Sequence, residues 1–491
     1  MAQYIEGDDR NQSMLLPAAI DDYVSAASPV RAIDAFVDQL DLAAIGFKIR
    51  TDSSEGRSSY APATLLKLYL WGYLKRIRSS RGLETACAEN LQAIWLTSNL
   101  RPDHSTIADF RKDHPGPLKS MLKEFNLICL ELRLFGKELV AIDGTFIKAV
   151  NSTTRSFTKV KIDKLIEGID KAISRYVTDL ADADETNSPV KSREDNAKEL
   201  RCKLDKIKAR KTVLEGHRTT CAESPTGQAN LTDPDCRQLK KNGKTTVGYN
   251  VQAAVDAKHH LISTIEVTQH GNDHQCLDPI AQQAKEDLGL APDAALTVLA
   301  DSGYGSGAQL AACEAHATTV LTPLKKTRGE VNGLYNNDAF THDPATDSYT
   351  CPQGKVLPRR ADTKPDAPGG GFHTYYNATA CKGCPARAQC TKSPVRKLII
   401  SVHQETMDRA RERLAAVPDA MRQRASLVEH PFGTIKDRHG RGGLLCRGLA
   451  LAGAEMGLSA WAYNFTRVIN LIGVSDLLDW IQARQTPPQG C

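Results

Sequence analysis

The chain has 491 residues, of which 41% are hydrophobic and 25% are charged, and its formal net charge is +5. This length predicts roughly two to four structural units, and the composition excludes a wholly disordered chain, a collagen and a membrane-spanning protein. The first ten residues are acidic and lack an apolar core, so we expect a cytoplasmic protein without an export signal. Because the net charge is small, any nucleic-acid binding must depend on local basic patches.

The region 1–135 has the pattern of short helices. Apolar residues recur three or four positions apart between Pro62 and Phe135, which is the helical period. Several short helices with a basic face are typical of a helix-turn-helix-like unit that binds DNA. The alternative is a helical bundle whose basic face is only solvated. The candidate DNA-binding residues are Lys75, Arg76, Arg78 and Arg81.

A different pattern begins near residue 136 and continues to residue 472. The apolar run at 139–142 predicts a short buried strand that ends at Asp143. The segments 244–256 and 260–268 predict a β-hairpin, and later short strands alternate with helices up to about residue 323. This order predicts an α/β core with a mixed sheet flanked by helices.

Two inserts interrupt the predicted core, and a tail follows it. Residues 158–217 have the periodicity of two antiparallel helices, with a polar break that contains Pro189. Residues 325–397 are rich in Gly, Pro, Asn and Cys, which predicts an irregular insert. We expect residues 473–491 to form a C-terminal tail.

Three acidic residues occupy positions where a metal site could be built. Asp143 and Asp301 follow predicted strands, and carboxylates at the carboxyl ends of neighbouring parallel strands meet at one edge of a sheet. Glu429 lies in a predicted helix, and Lys436 follows it by two helical turns provided that Pro431 does not break the helix. Three oxygen ligands suit Mg²⁺ or Mn²⁺, and two such ions would serve phosphodiester chemistry.

Each of these residues also has a plainer interpretation. Asp143-Gly144 is a common turn after a strand, and Asp301 could cap the next helix. Glu455 is a rival third carboxylate, since it lies in an otherwise apolar helix and needs a partner there. The order of the three residues, with basic residues around the last, favours Glu429.

A cluster of four cysteines lies in the second insert. Cys381 and Cys384 form a Cys-x₂-Cys pair, with Cys351 before it and Cys390 after it. Such a cluster suits a structural Zn²⁺ ion that would cross-link a loop-rich segment. The alternative is four reduced thiols without a metal.

Four segments together give a specific resemblance. Residues 141–149 (AIDGTFIKA), 247–256 (VGYNVQAAVD), 299–304 (LADSGY) and 428–436 (VEHPFGTIK) resemble those of the DDE transposases of bacterial insertion sequences. The later segment 462–467 (AYNFTR) fits the same pattern. The resemblance extends from about residue 10 to residue 472.

The resemblance implies an RNase H-like catalytic core and an N-terminal helical DNA-binding region. It makes Asp143, Asp301 and Glu429 the catalytic, metal-binding triad and Lys436 a phosphate-binding residue. The family pattern places an Arg four residues before the Glu, but Ala425 stands there, which leaves Arg422 and Arg424 as the candidates. The implied partners are the terminal repeats of the element, target DNA and a second copy of the chain in a bacterial cytoplasm.

The implied function is metal-dependent cleavage of DNA followed by strand transfer. Two alternatives retain the same fold. The first is a decayed, non-catalytic DNA-binding protein, against which the intact acidic residues argue. The second is a stand-alone nuclease that cuts DNA without strand transfer.

Overall fold

The computed structural model describes residues 19–49, 59–185, 190–224, 226–241, 243–325, 333–363, 371–440 and 443–485. The helices of four residues or more are Ile20–Tyr23 (3₁₀), Pro29–Asp38, Leu42–Ile45, Pro62–Leu74, Ser80–Glu89, Leu91–Leu96, His104–Asp113, Pro115–Glu131, Lys159–Glu185, Val190–Glu223, Leu277–Asp287, Gly307–Ala315, Ala378–Cys381, Arg387–Cys390, Gln404–Ala416, Ala420–His439, Leu449–Ile472 and Val474–Gln485. In the described part of the chain, no helix is long and apolar enough to cross a membrane.

The strands form three sheets. In chain order they are β1 (Leu139–Lys148), β2 (Ser156–Thr158), β3 (Gln228–Asn230), β4 (Arg237–Lys241), β5 (Lys244–Asp256), β6 (Ile262–Thr268), β7 (Leu296–Leu299), β8 (Thr318–Leu321), β9 (Thr341–Asp343), β10 (Ser348–Thr350), β11 (Val356–Asp362), β12 (Phe372–Tyr375) and β13 (Leu398–Ser401).

The central sheet has the mixed topology that the sequence predicts. Strands β6, β5, β1, β7 and β8 lie side by side in this order, and β4 pairs with the N-terminal end of β5. The neighbours β6, β5 and β1 are antiparallel, whereas β7 and β8 run parallel to β1. This order and these directions are those of an RNase H-like sheet, so the predicted fold class is confirmed.

The first strand is longer than the sequence suggests. We expected it to end at Asp143, but it continues to Lys148. The reason is β5, whose thirteen residues pair with β1 from Val140 through Lys148. Only Leu139–Ala141 also pair with β7, so Asp143 lies beyond the parallel pairing although it is within the strand.

The Cys-rich insert is more regular than expected. Its described residues supply four strands of a five-stranded antiparallel sheet in the order β13, β12, β11, β10, β9, and β13 directly follows the insert. The expectation of an irregular segment was wrong because strands of only three to seven residues are too short to show a clear alternation among Gly and Pro. Its apolar core is small and consists of Phe340, Leu357, Tyr375, Leu398 and Ile400.

The other insert is the predicted pair of helices, Lys159–Glu185 and Val190–Glu223, which pack against each other. Pro189, in the predicted break, lies outside the described residues. The segment after residue 472 differs from the expected tail. It begins with the helix Val474–Gln485, whose Leu477 and Ile481 are fully buried and which packs on the helix Pro29–Asp38.

A buried polar network joins the N-terminal helices to the core. Arg78 donates hydrogen bonds to the carbonyl oxygen of His439 at 2.8 Å and to its Nδ1 atom at 2.7 Å, and it pairs with Glu455 at 3.3 Å. The Arg78 side chain is 9% exposed and that of Glu455 is 0% exposed. A guanidinium can only donate, so Nδ1 of His439 carries no proton and its Nε2–H donates to Ser459 Oγ, 2.7 Å away.

This network predicts a loss of stability in acid. Burial, and then the Arg78 charge, lower the pKa of His439 from 6.5 to about 4. The neutral imidazole therefore stabilises the folded protein fully above pH ~6.5, and this contribution is lost as the pH falls towards 4. His439→Asn retains an acceptor for Arg78 but cannot be protonated in this pH range. We expect it to remove up to about 3 kcal/mol of the change in unfolding free energy between neutral pH and pH 4. The measurement is thermal unfolding of both proteins between pH 4 and 8, and parallel pH profiles would contradict the assignment.

Candidate active site

Two aspartates lie at the same level of the central sheet. In the parallel pair β1 and β7, Ala141 is opposite Leu299, and Asp143 and Asp301 each follow two residues later. Both side chains face Arg424, whose Nη2 atom is 2.8 Å from Asp143 Oδ1 and 4.0 Å from Asp301 Oδ2. The two carboxylates therefore share one guanidinium at the edge of the sheet where α/β proteins bind ligands.

Backbone amides hold both carboxylates in place. The N–H of Gly144 donates to Asp143 at 2.8 Å, and the N–H of Gly303 donates to Asp301 at 2.7 Å. Burial raises the pKa of Asp143, and the Arg424 charge opposes this shift. Asp301 is more open to solvent, with 39% of its side chain exposed. The pair thus combines a partly desolvated carboxylate with an accessible one.

A third aspartate, which sequence analysis did not find, lies beside this pair. Asp273 accepts hydrogen bonds from the side-chain amides of Asn250 at 2.8 Å and Gln252 at 2.7 Å. Tyr304, which is fully buried, donates its hydroxyl to the Gln252 carbonyl. The signal in the sequence is the pair of amide residues two positions apart in an apolar strand, because such residues share one face.

The glycines after the two aspartates show how close Asp273 is. A Cβ atom on Gly144 would lie 2.7 Å from Asp273 Oδ1 and even closer to the Gln252 amide. A Cβ atom on Gly303 would lie 3.5 Å from Asp273 Oδ2. The Asp273 carboxylate therefore lies between the loops that carry Asp143 and Asp301.

One long helix supplies the basic side of the site. The helix Ala420–His439 remains continuous through Pro431, as the sequence argument for Lys436 required. Of the two candidate arginines, Arg424 reaches the aspartates, whereas Arg422 is 89% exposed and lies 3.9 Å from Asp419. Burial, and then the charge of Lys241, lower the pKa of Lys436, while Asp143 opposes the shift.

Glu429 lies on the same helix, and its side chain is exposed. The structure brings Asp143, Asp301 and Arg424 together but does not join Glu429 to them. Within the described ranges, no three His, Cys, Asp or Glu side chains are grouped as a metal site requires. The role of Glu429 therefore stays a prediction.

The rival carboxylate has a structural role. Glu455 pairs with Arg78 and accepts hydrogen bonds from the backbone N–H groups of Leu445 at 2.8 Å and Cys446 at 2.6 Å. This network, rather than the aspartate pair, meets its need for a partner.

The candidate DNA-binding residues divide into two groups. Lys75, Arg76 and Arg81 are exposed, although Arg76 also pairs with Asp437 at 2.8 Å. The prediction is corrected for Arg78, whose guanidinium is buried against Glu455 and His439 and does not face solvent. Sequence alone could not distinguish it, because the partners of Arg78 lie more than 350 positions later.

The aspartate pair fits a divalent cation. Its members already share a positive group, Arg424, and their carboxylate oxygens are the ligands that Mg²⁺ and Mn²⁺ prefer. An RNase H-like sheet with such a pair at its edge defines the class of this protein as an RNase H-like protein with an acidic pair at the edge of its central sheet.

Two family models match the chain. The Transposase domain (DUF772) matches residues 18–113, and the Transposase DDE domain matches residues 350–469. Both models describe transposases, and together they support a DDE transposase of an insertion sequence. Glu429 and the four cysteines of the insert lie within the second match, whereas Asp143 and Asp301 lie between the two matches.

Among solved structures, the chain is similar to the piggyBac transposase synaptic complex with hairpin DNA, determined by cryo-EM. The identity is 8% and the TM-score 0.31, over 95% of this chain and 83% of that chain. No curated protein matches the chain.

The Asp273 network predicts a difference between two substitutions. Asp273→Asn retains an acceptor for Asn250 and Gln252, whereas Asp273→Ala removes one acceptor from each of these buried amides, although Gln252 still donates to Asn250 Oδ1 at 3.0 Å. We expect the Ala variant to lose about 2–4 kcal/mol of unfolding free energy relative to the Asn variant, because each unsatisfied buried group costs about 1–3 kcal/mol. Chemical denaturation measures this difference, and equal stability of the two variants would contradict the network.

Proposed function

We propose that this transposase binds the ends of its own DNA element, cuts the DNA there and joins the freed end to target DNA. The observation that carries the proposal is the pairing of Asp143 with Asp301 around Arg424, which comes from the helix that also carries Glu429 and Lys436. An acidic pair bordered by basic side chains suits a phosphodiester, whose negative charge needs both cations and positioned donors.

In this proposal Asp143, Asp301 and Glu429 hold Mg²⁺ or Mn²⁺. When bound, such ions would supply activation of a water or a 3′-hydroxyl and stabilisation of the leaving oxygen of the phosphodiester. Arg424 neutralises the two aspartates here, and in this proposal its guanidinium donates to a phosphate oxygen at the same edge. Lys436 adds a second positive charge near Asp143.

The N-terminal helices would supply the contacts that position the DNA. Lys75 and Arg76 are exposed in the turn after the helix Pro62–Leu74, and Arg81 is exposed in the first turn of the helix Ser80–Glu89. Since Pro62–Leu74 packs on the helix Leu449–Ile472, phosphates bound there would have a fixed relation to the aspartates. We propose the element ends and target DNA as the partners, with a homodimer as the active form. A decayed DNA-binding protein is disfavoured, because the aspartate pair and its supporting network are intact.

The first test concerns the triad. Asp143→Asn, Asp301→Asn and Glu429→Gln each remove an anionic ligand while keeping the shape of the side chain. We expect each to reduce Mg²⁺-dependent cleavage of the element end by at least roughly 100-fold, since even outer partners of a metal site are worth about 10–100-fold. The measurement is a cleavage assay with the purified full chain.

The matched control for the triad is Glu412→Gln, since Glu412 is exposed on the neighbouring helix Gln404–Ala416. DNA binding and Mn²⁺ affinity are measured for every variant. Near-normal cleavage by one variant would remove that residue from the triad. Cleavage by the wild type without joining of the ends would favour the stand-alone nuclease.

The second test concerns DNA capture. Replacing Lys75, Arg76 and Arg81 by Gln removes exposed charges. We expect the slope of the logarithm of the DNA-binding constant against the logarithm of the salt concentration to become shallower by about 0.9 for each phosphate that is no longer neutralised. Arg78→Gln is the contrast. It removes the ion-pair partner of the buried Glu455, while Arg111 remains as a second cation beside that carboxylate, so it should cost up to about 3–5 kcal/mol of stability and leave the slope unchanged. A triple variant with the wild-type slope would show that this face is only solvated.

A further inference from the structure

Four thiols border one small cavity in the Cys-rich insert. The cavity has a volume of about 40 Å³, and its lining includes Cys351, Cys381, Cys384 and Cys390. All four side chains are partly buried and none is in a disulfide. The sheet thus gathers residues that are up to 39 positions apart in the chain.

The backbone is shaped around two of these sulfurs. The N–H of Lys355 donates to Cys351 Sγ at 3.4 Å, across a tight turn in which Gly354 has a φ of +68°. The turn between Cys381 and Cys384 also has a glycine in the left-handed region, Gly383, with a φ of +74°. An amide that donates to sulfur favours the thiolate, because it stabilises the negative charge.

Arg396 lies on the same cavity without a negative partner. Its guanidinium donates to two neutral oxygens, the Cys390 carbonyl at 3.3 Å and Asn337 Oδ1 at 3.2 Å, and it lies over the ring of Phe340. Its Nε atom is buried with no hydrogen-bond partner in the described part of the chain. Burying a cation beside neutral thiols is costly, whereas thiolates would provide the missing charge.

The insert also has little else to hold it together. Its core contains five buried apolar side chains, with Cys351 and Cys390 packed at the edge. Sheets with so small a core usually depend on a disulfide or a structural metal ion.

From these observations we propose that Cys351, Cys381, Cys384 and Cys390 bind one structural Zn²⁺ ion. Tetrahedral coordination by four cysteines is a common structural zinc site. On binding, each thiol loses its proton to solvent, and the resulting Zn(Cys)₄ group carries a charge of −2 that Arg396 partly balances. Among the described residues, the four side chains are not grouped at ligand spacing without the ion. This proposal is independent of the proposed catalytic function.

The test uses the full chain, purified without chelators. We expect about one zinc per chain by elemental analysis, with X-ray absorption showing coordination by sulfur rather than by the carboxylates of the catalytic site. Replacement of zinc by Co²⁺ should give the absorption of a tetrahedral thiolate complex. Absence of zinc, together with no such absorption after Co²⁺ is added to the reduced protein, would overturn the proposal.

Two pairs of variants sharpen the test. Cys381→Ser with Cys384→Ser should lower the zinc content at least tenfold and make the insert sensitive to protease. The exposed Cys202→Ser should change neither property. Arg396→Met should release zinc to a chelator more readily than Arg387→Met, because Arg387 is exposed. Equal zinc content in the double Cys variant and in the wild type would also contradict the proposal, as would a disulfide between these cysteines found by mass spectrometry.

Discussion

The repulsion between two neighbouring carboxylates is the constraint on which the rest of the site depends. Asp143 and Asp301 follow adjacent parallel strands at the same level, and one of them is largely withdrawn from water, so their charges need a cation between them. Arg424 supplies that cation from a helix more than 120 positions further along the chain. The path of that helix across the sheet, and with it the placement of Lys436, follows from this requirement.

The same chemical solution recurs where the N-terminal helices meet the core. Glu455 is completely buried, and its charge is balanced by Arg78, which also bonds to His439. Each of these buried charges is matched by a partner from a distant segment, so the parts assemble only when both are folded. The network therefore ties the N-terminal helices to the helix that borders the aspartates.

The inserts occupy positions that leave this geometry undisturbed. Along the chain, the helical pair lies between β1 and β5. The sheet of the Cys-rich insert lies between β8 and the helices Gln404–Ala416 and Ala420–His439. Both inserts have their own apolar clusters, separate from the cluster beneath the central sheet. The sheet can therefore close around β5, whose ten consecutive buried residues are covered on both faces, while each insert packs by itself.

Much of the fold follows from local pattern alone. The strand β5 is a nearly continuous apolar run, the helix Lys159–Glu185 has a clear helical period, and the strand-Asp, strand-Asp, helix-Glu order indicated the candidate site. Tertiary structure decided what depends on distant partners. It buried Arg78, chose Arg424 over Arg422, added Asp273 and extended β1 past Asp143. It also made a sheet from short strands in the insert. The physical reason is that hydrophobic periodicity is a local property, whereas the pairing of a buried charge or a strand edge is settled only by which residues the fold places beside it.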